Sequence, residues 1–138
     1  MSAAKVTVLD ASAIIAFLQG EPGSEVVGRA LHSQRCVVSA ANQAEVIAKS
    51  LDRGADPDAI KMILAELAYS VVDIPVGDGE QAGWIRGQTR SIGLSLGDRL
   101  CLALAQRLSA RVLTADRAWL KTSQTLRLEI QCIRPPAY

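Results

Sequence analysis

The sequence predicts an α/β fold, with a mostly parallel central β-sheet flanked by helices in three layers. Three observations carry this expectation. Short apolar runs alternate with longer segments of helical periodicity, which is the pattern of βαβ units. The chain is 49% hydrophobic but only 4% aromatic, so its core is built from Ala, Val, Leu and Ile, which suits helices laid on a parallel sheet. Two of the apolar runs carry acids at their ends: Val6-Thr7-Val8-Leu9 is followed at once by Asp10, and Asp116 lies just past Arg111-Val112-Leu113-Thr114. If these strands are parallel neighbours, both acids face the crevice at the strand ends where open α/β sheets bind ligands.

Taken in order, residues 5–9 read as a first, central strand. Ala11 to Leu18 continue as a helix, ended by Gly20-Glu21-Pro22-Gly23. Ser24 is the expected cap of a second helix to Ser33, with Val26, Val27, Ala30 and Leu31 inward. Cys36-Val37-Val38 is a second strand, closed by Ser39. A long helix follows over residues 40–53, ended by Gly54, with Ala44, Ile47, Ala48 and Leu51 as its inward stripe and Glu45 on the stripe's border. Asp56 caps the next helix, with Pro57 in its first turn, and that helix extends to Ala68. Val71-Val72-Asp73-Ile74 is a third strand stopped by Pro75. Gly77-Asp78-Gly79 reads as a turn, and a helix to Arg90 follows with Ala82, Trp84 and Ile85 inward. Residues 91–97 form a loop. Asp98 then opens an apolar helix (Leu100, Leu102, Ala103, Leu104, Ala105, Leu108) that leads to the strand 111–114. Leu128 to Ile133 is a last strand.

The 138 residues are expected to form a single domain, 1–138, long enough to fold without disulfides or structural metal. The net charge of +1 is unevenly spread. Residues 1–85 carry six basic and eleven acidic side chains, and residues 86–138 carry nine and three. That bias is compatible with a phosphate-rich partner and equally with ordinary solvated helix faces. Cys36, Cys101 and Cys132 have no pairing pattern and read as reduced thiols of a cytoplasmic protein. His32 reads as a surface residue. The first apolar run is interrupted by Asp10, unlike a signal peptide, and no run reaches the ~18–20 apolar residues that span a membrane.

Four acids stand out by position. Asp10 and Asp116 follow strands, while Glu45 and Asp98 lie at or beside apolar helix faces. Acids against buried surface are costly to ionise unless something compensates them. An all-oxygen donor set selects Mg²⁺ or Mn²⁺ over zinc, and such a cluster activates water for in-line displacement at phosphorus. Each acid also has an ordinary reading. Asp10, Asp98 and Asp116 can cap helices, and Glu45 can pair with Lys49.

The segments Val-Leu-Asp-Ala-Ser at 8–12, Glu45 in its helix, Leu-Ser-Leu-Gly-Asp-Arg at 94–99 and Val-Leu-Thr-Ala-Asp-Arg-Ala-Trp at 112–119 resemble a PIN-domain ribonuclease. Over essentially the whole chain the resemblance is to VapC-type toxins of bacterial and archaeal toxin–antitoxin pairs. It implies a PIN-like fold, an acidic site for Mg²⁺ (or Mn²⁺), and endonucleolytic cleavage of RNA. It gives Asp10 and Asp98 direct metal contact. Glu45 and Asp116 would bind a second ion or hold waters and ligands in place, and Ser12 and Thr114 would orient a carboxylate or water. Arg99 and Arg117, each just after an acid, are candidates for phosphate contact or for structural salt bridges. The resemblance also implies a homodimer, a cognate antitoxin protein as partner, and no membrane.

Other readings compete. A phosphatase of the haloacid-dehalogenase type also places an Asp after its first strand, but it needs a second Asp two residues on, where this chain has Ser12. A dinucleotide-binding domain needs a Gly-x-Gly-x-x-Gly that is absent. A non-catalytic RNA-binding or protein-interaction module on the same fold stays open, because fold does not fix function. Trp84, Trp119 and Tyr138 are the candidate platforms for stacking bases, the first two reading as core.

Overall fold

A computed structural model describes residues 5–136. Five parallel strands form one sheet, β1 (Val6–Leu9), β2 (Arg35–Ser39), β3 (Tyr69–Val72), β4 (Arg111–Thr114) and β5 (Ile130–Cys132). Their order is β3-β2-β1-β4-β5, so β1 is central and β4 lies beside it as expected. Thr7 faces Arg111 and Leu9 faces Leu113. The Asp10 N–H extends that ladder by donating to the Leu113 carbonyl at 3.0 Å. Asp10 and the turn after Thr114 therefore leave the sheet at the same end, the C-terminal end of the strands.

Among the described residues, seven α-helices connect and cover the strands: α1 (Ala11–Gln19), α2 (Ser24–Ser33), α3 (Ala40–Asp52), α4 (Pro57–Glu66), α5 (Val76–Gln88), α6 (Leu96–Leu108) and α7 (Ser123–Leu126). Strand side chains alternate between faces, which divides the core in two. Val8, Val37 and Val112 pack with α6, with Ile85 of α5 and with Trp119. Leu9, Val38 and Leu113 pack with α1, with Val27 and Ala30 of α2 and with Val46 of α3. Leu100 to Ala105 are buried without a break, because α6 meets the sheet, α5 and α3 on different sides. No helix among the described residues is long and apolar enough to cross a membrane. The three cysteines are free, and His32 is exposed.

Several elements differ from the sequence reading. The α3 stripe faces outward: Ile47 is 37% and Leu51 45% exposed, Ala44 and Ala48 are also exposed, and the buried side carries Asn42 and Val46. β3 starts two residues earlier, in register with β2, and the Tyr69 hydroxyl donates to Gln43 Oε1 at 2.6 Å. Gly77-Asp78-Gly79 is not a turn but the start of α5. Asp78 is buried there, and its carboxylate accepts from Arg107 Nε at 2.9 and 3.0 Å. That pair ties α5 to the last turn of α6, a link between residues 29 apart that local turn chemistry does not reveal. Trp84 points to solvent, 74% exposed, while Trp119 is core. Gly23, not Ser24, occupies the cap position of α2. α4 ends at Glu66, two residues short of the expected Ala68, with Asp56 as its cap. Tyr138 lies outside the described residues.

Candidate active site

The site is assembled where β1 and β4 end and where α3 and α6 begin. Ser39 accepts from the Ala41 N–H at 3.2 Å and so fixes the start of α3. Asn42 and Glu45 follow one turn apart. Ser95 and Asp98 form a reciprocal capping box at the start of α6: the Asp98 N–H donates to Ser95 Oγ at 3.1 Å, and the Ser95 N–H donates to Asp98 Oδ2 at 3.0 Å. Asp98 Oδ2 holds the helix start, and no hydrogen bond among the described residues engages its other oxygen.

Asp10 is the deepest acid, 4% exposed. Its Oδ2 accepts from the Ser12 hydroxyl at 2.5 Å and from the Thr114 hydroxyl at 3.0 Å. The Ala115 N–H in turn donates to Ser12 Oγ at 2.9 Å, which stitches α1 to the end of β4. Burial pushes the Asp10 carboxyl up to about 6. The hydroxyl bonds oppose that shift, whereas the negative charges of Asp98 and Glu45 add to it. The Cys101 thiol, one turn along α6 from Asp98, is pushed well up by burial and by the charges of Asp10, Asp98 and Glu45. Three acids from three elements therefore act on one point.

Asp116 stands apart. It is exposed, and its Oδ1 accepts from the Ala118 N–H at 3.0 Å, capping a 3₁₀ turn over Arg117–Thr122. Its own N–H donates to Thr114 Oγ1 at 3.1 Å, so its tie to Asp10 runs through that hydroxyl. Arg99 is drawn into the helix packing, with Nη1 donating to the Ala82 carbonyl of α5 at 2.9 Å. Arg117 Nη2 donates to the Arg134 carbonyl at 2.8 Å. Arg117 and Arg134 line an open cavity of about 500 Å³ that also includes Ser12, Asp116 and Cys132.

The donor set suits a divalent cation. The donors are carboxylate oxygens, and the most buried acid is held above its ordinary pKa by burial and, in smaller part, by like charges that a cation would offset. Among the described residues, no three acids, histidines or cysteines are yet drawn up closely enough to enclose an ion.

Two residues of this site were not singled out by sequence reasoning. Asn42 is fully buried beside Glu45, and its Nδ2 donates to Glu45 Oε1 at 2.9 Å. Gly97 lies under the same carboxylate, at a place where any side chain would overlap Glu45. The Leu-Gly-Asp sequence was visible, but nothing local announced what the glycine leaves room for.

The family model described as PIN domain matches residues 7–124. No curated protein sequence matches the chain significantly. Among solved structures, the chain is similar to a toxin–antitoxin complex from Klebsiella pneumoniae, with TM-score 0.65 and 18% identity over 82% of this chain and 89% of that one. It is similar to VapBC-1 from nontypeable Haemophilus influenzae, with TM-score 0.66 and 21% identity over 93% and 98%. It is also similar to Mycobacterium tuberculosis VapC20, a sarcin–ricin loop cleaving toxin, with TM-score 0.67 and 15% identity over 84% and 94%. At these identities the likeness is one of fold.

Proposed function

The chain belongs to the PIN-domain family, and on that premise we propose that it is a metal-dependent endoribonuclease, the VapC-like toxin of a toxin–antitoxin pair. The observation that carries this reading is that the buried Asp10, at the C-terminal end of the central strand, lies near enough to Glu45 and Asp98 at the starts of α3 and α6 for their charges to act on it. Asp10 and Asp98 are the first-choice ligands of Mg²⁺ or Mn²⁺, with Glu45 completing the set. Asp116, at the rim, serves a second ion or orients water. A divalent cation, when bound, supplies Lewis acidity toward a phosphoryl oxygen and lowers the pKa of water. The chain's own part is orientation. Ser12 and Thr114 hold Asp10 by one oxygen, leaving the other for the ligand, and the capping box does the same for Asp98. Arg117, next to Asp116 and on the wall of the cavity that Ser12 also lines, meets a phosphate of the RNA in this reading, whereas Arg99 serves mainly to join α6 to α5.

An antitoxin partner is supported by neighbours solved as toxin–antitoxin and VapBC complexes. A homodimer is supported by large apolar side chains left exposed, among them Met62 and Trp84. Three free cysteines suit a cytoplasmic setting.

Purified protein should cut cellular RNA into discrete fragments in Mg²⁺ or Mn²⁺, and EDTA should stop it. Fragmentation that persists in EDTA contradicts the metal-dependent reading. RNA that is bound without cleavage in either ion points to the non-catalytic module.

A further inference from the structure

Asn42 lies in the first turn of α3, one turn before Glu45, and has no exposed surface. Both hydrogens of its amide are used: Nδ2 donates to Glu45 Oε1 at 2.9 Å and, across to α6, to the Gly97 carbonyl at 3.2 Å. Its Oδ1 is buried with no hydrogen-bond partner. A buried acceptor left unpaired costs stability, and what the amide provides against that cost is its two donated bonds, to the Glu45 carboxylate and to the Gly97 carbonyl. On the other side of Glu45, a Cβ at Gly97 would fall on the Glu45 carboxylate. The carboxylate is thus pulled by the amide into a recess that only glycine leaves. The choice of amide is also chemically specific. It donates to the carboxylate without adding charge, where Lys or Arg would neutralise the site and Asp would repel both Glu45 and the Gly97 carbonyl.

We infer that Asn42 and Gly97 are positioning residues that hold the Glu45 carboxylate against the start of α6, beside Asp98, in the arrangement that takes up a divalent cation. The inference rests on the proposed reading of the acids and adds two residues to it. Neither touches the reacting atoms, and both act through Glu45.

The test is calorimetric titration with Mn²⁺, together with thermal unfolding, on wild type, Asn42→Leu, Glu45→Gln and the double variant. Asn42→Leu is expected to fold, with an unfolding temperature close to that of wild type, because removing the orphaned acceptor offsets much of the lost bond to the Gly97 carbonyl, while its Mn²⁺ dissociation constant rises at least about tenfold. In the Glu45→Gln background the same substitution is expected to change affinity by less than about twofold, since its target is already gone. Unchanged Mn²⁺ affinity in Asn42→Leu, or a full additional loss in the double variant, overturns the inference. Wild-type protein that binds no Mn²⁺ overturns the acidic site itself, a separate failure. If Asn42→Leu does not fold, Gly97→Ala carries the same test from the other side, with the same expected loss. Wild-type affinity in that variant is equally decisive against the inference.

Discussion

Asp10→Asn is expected to unfold at a higher temperature than the wild-type chain at neutral pH and to cut no RNA. Both effects come from the same carboxylate. Burial, reinforced by the charges of Asp98 and Glu45, raises its folded-state pKa from 3.8 to about 6. The folded chain therefore holds a proton that the unfolded chain gives up. Stability is greatest below the unfolded pKa, falls as pH rises from about 4 through about 6, and levels off above that. A shift of this size is worth on the order of 3 kcal/mol. The amide carries no charge, and its oxygen still accepts from Ser12 and Thr114, so the variant should be flat across that window. Thermal unfolding from pH 3.5 to pH 8 checks this, the two chains converging at the acid end (roughly one unit or less from the unfolded pKa). A variant less stable than wild type at neutral pH would show that the charge is already well compensated. The loss of activity, on the order of a thousandfold or more, follows from removing the buried ligand.

Asp98→Asn should lose cleavage to a similar extent with almost no change in stability. An asparagine oxygen can still accept from the Ser95 N–H, so the capping box that starts α6 survives. The charge at the cluster does not. The measurement is a cleavage assay alongside circular dichroism and thermal unfolding. Full activity in a folded Asp98→Asn chain would remove Asp98 from the site. The contrast with Asp10→Asn is informative, because one acid is buried at a cost and the other is held by its own helix.

Much of this arrangement was legible in the residues. Apolar strands followed by Asp10 and Asp116 pointed to β1 beside β4 with their ends together, because open α/β sheets bind ligands at the C-terminal ends of neighbouring parallel strands. The continuous apolar run of α6 told of a helix covered on several sides. What periodicity could not tell was which face of a helix meets the protein. α3 carries a regular apolar stripe, yet it packs by the opposite side, where Asn42 and Glu45 meet the start of α6. Polar groups that need protein partners decided that orientation, and those partners lie 55 residues away. Asp78 is a similar case: between two glycines it reads as a turn, but its pairing with Arg107 keeps it helical and buried. Trp84 shows the limit of reading aromatic residues as core, since α5 buries Ala82 and Ile85 and leaves the indole outside.

The likeness to solved toxins adds a fold, and the family adds an expectation of nuclease chemistry, but the acids must be tested in this chain. The most direct measurement is the number of protons released when Mn²⁺ binds, from titration calorimetry in two buffers of different ionisation enthalpy. With Asp10 near pKa 6 as a ligand, binding near pH 6 should release about half a proton, falling to almost none near pH 8, and Asp10→Asn should release none at either pH. Binding at pH 6 without proton release, or release that persists in Asp10→Asn, would contradict a cation site built on Asp10.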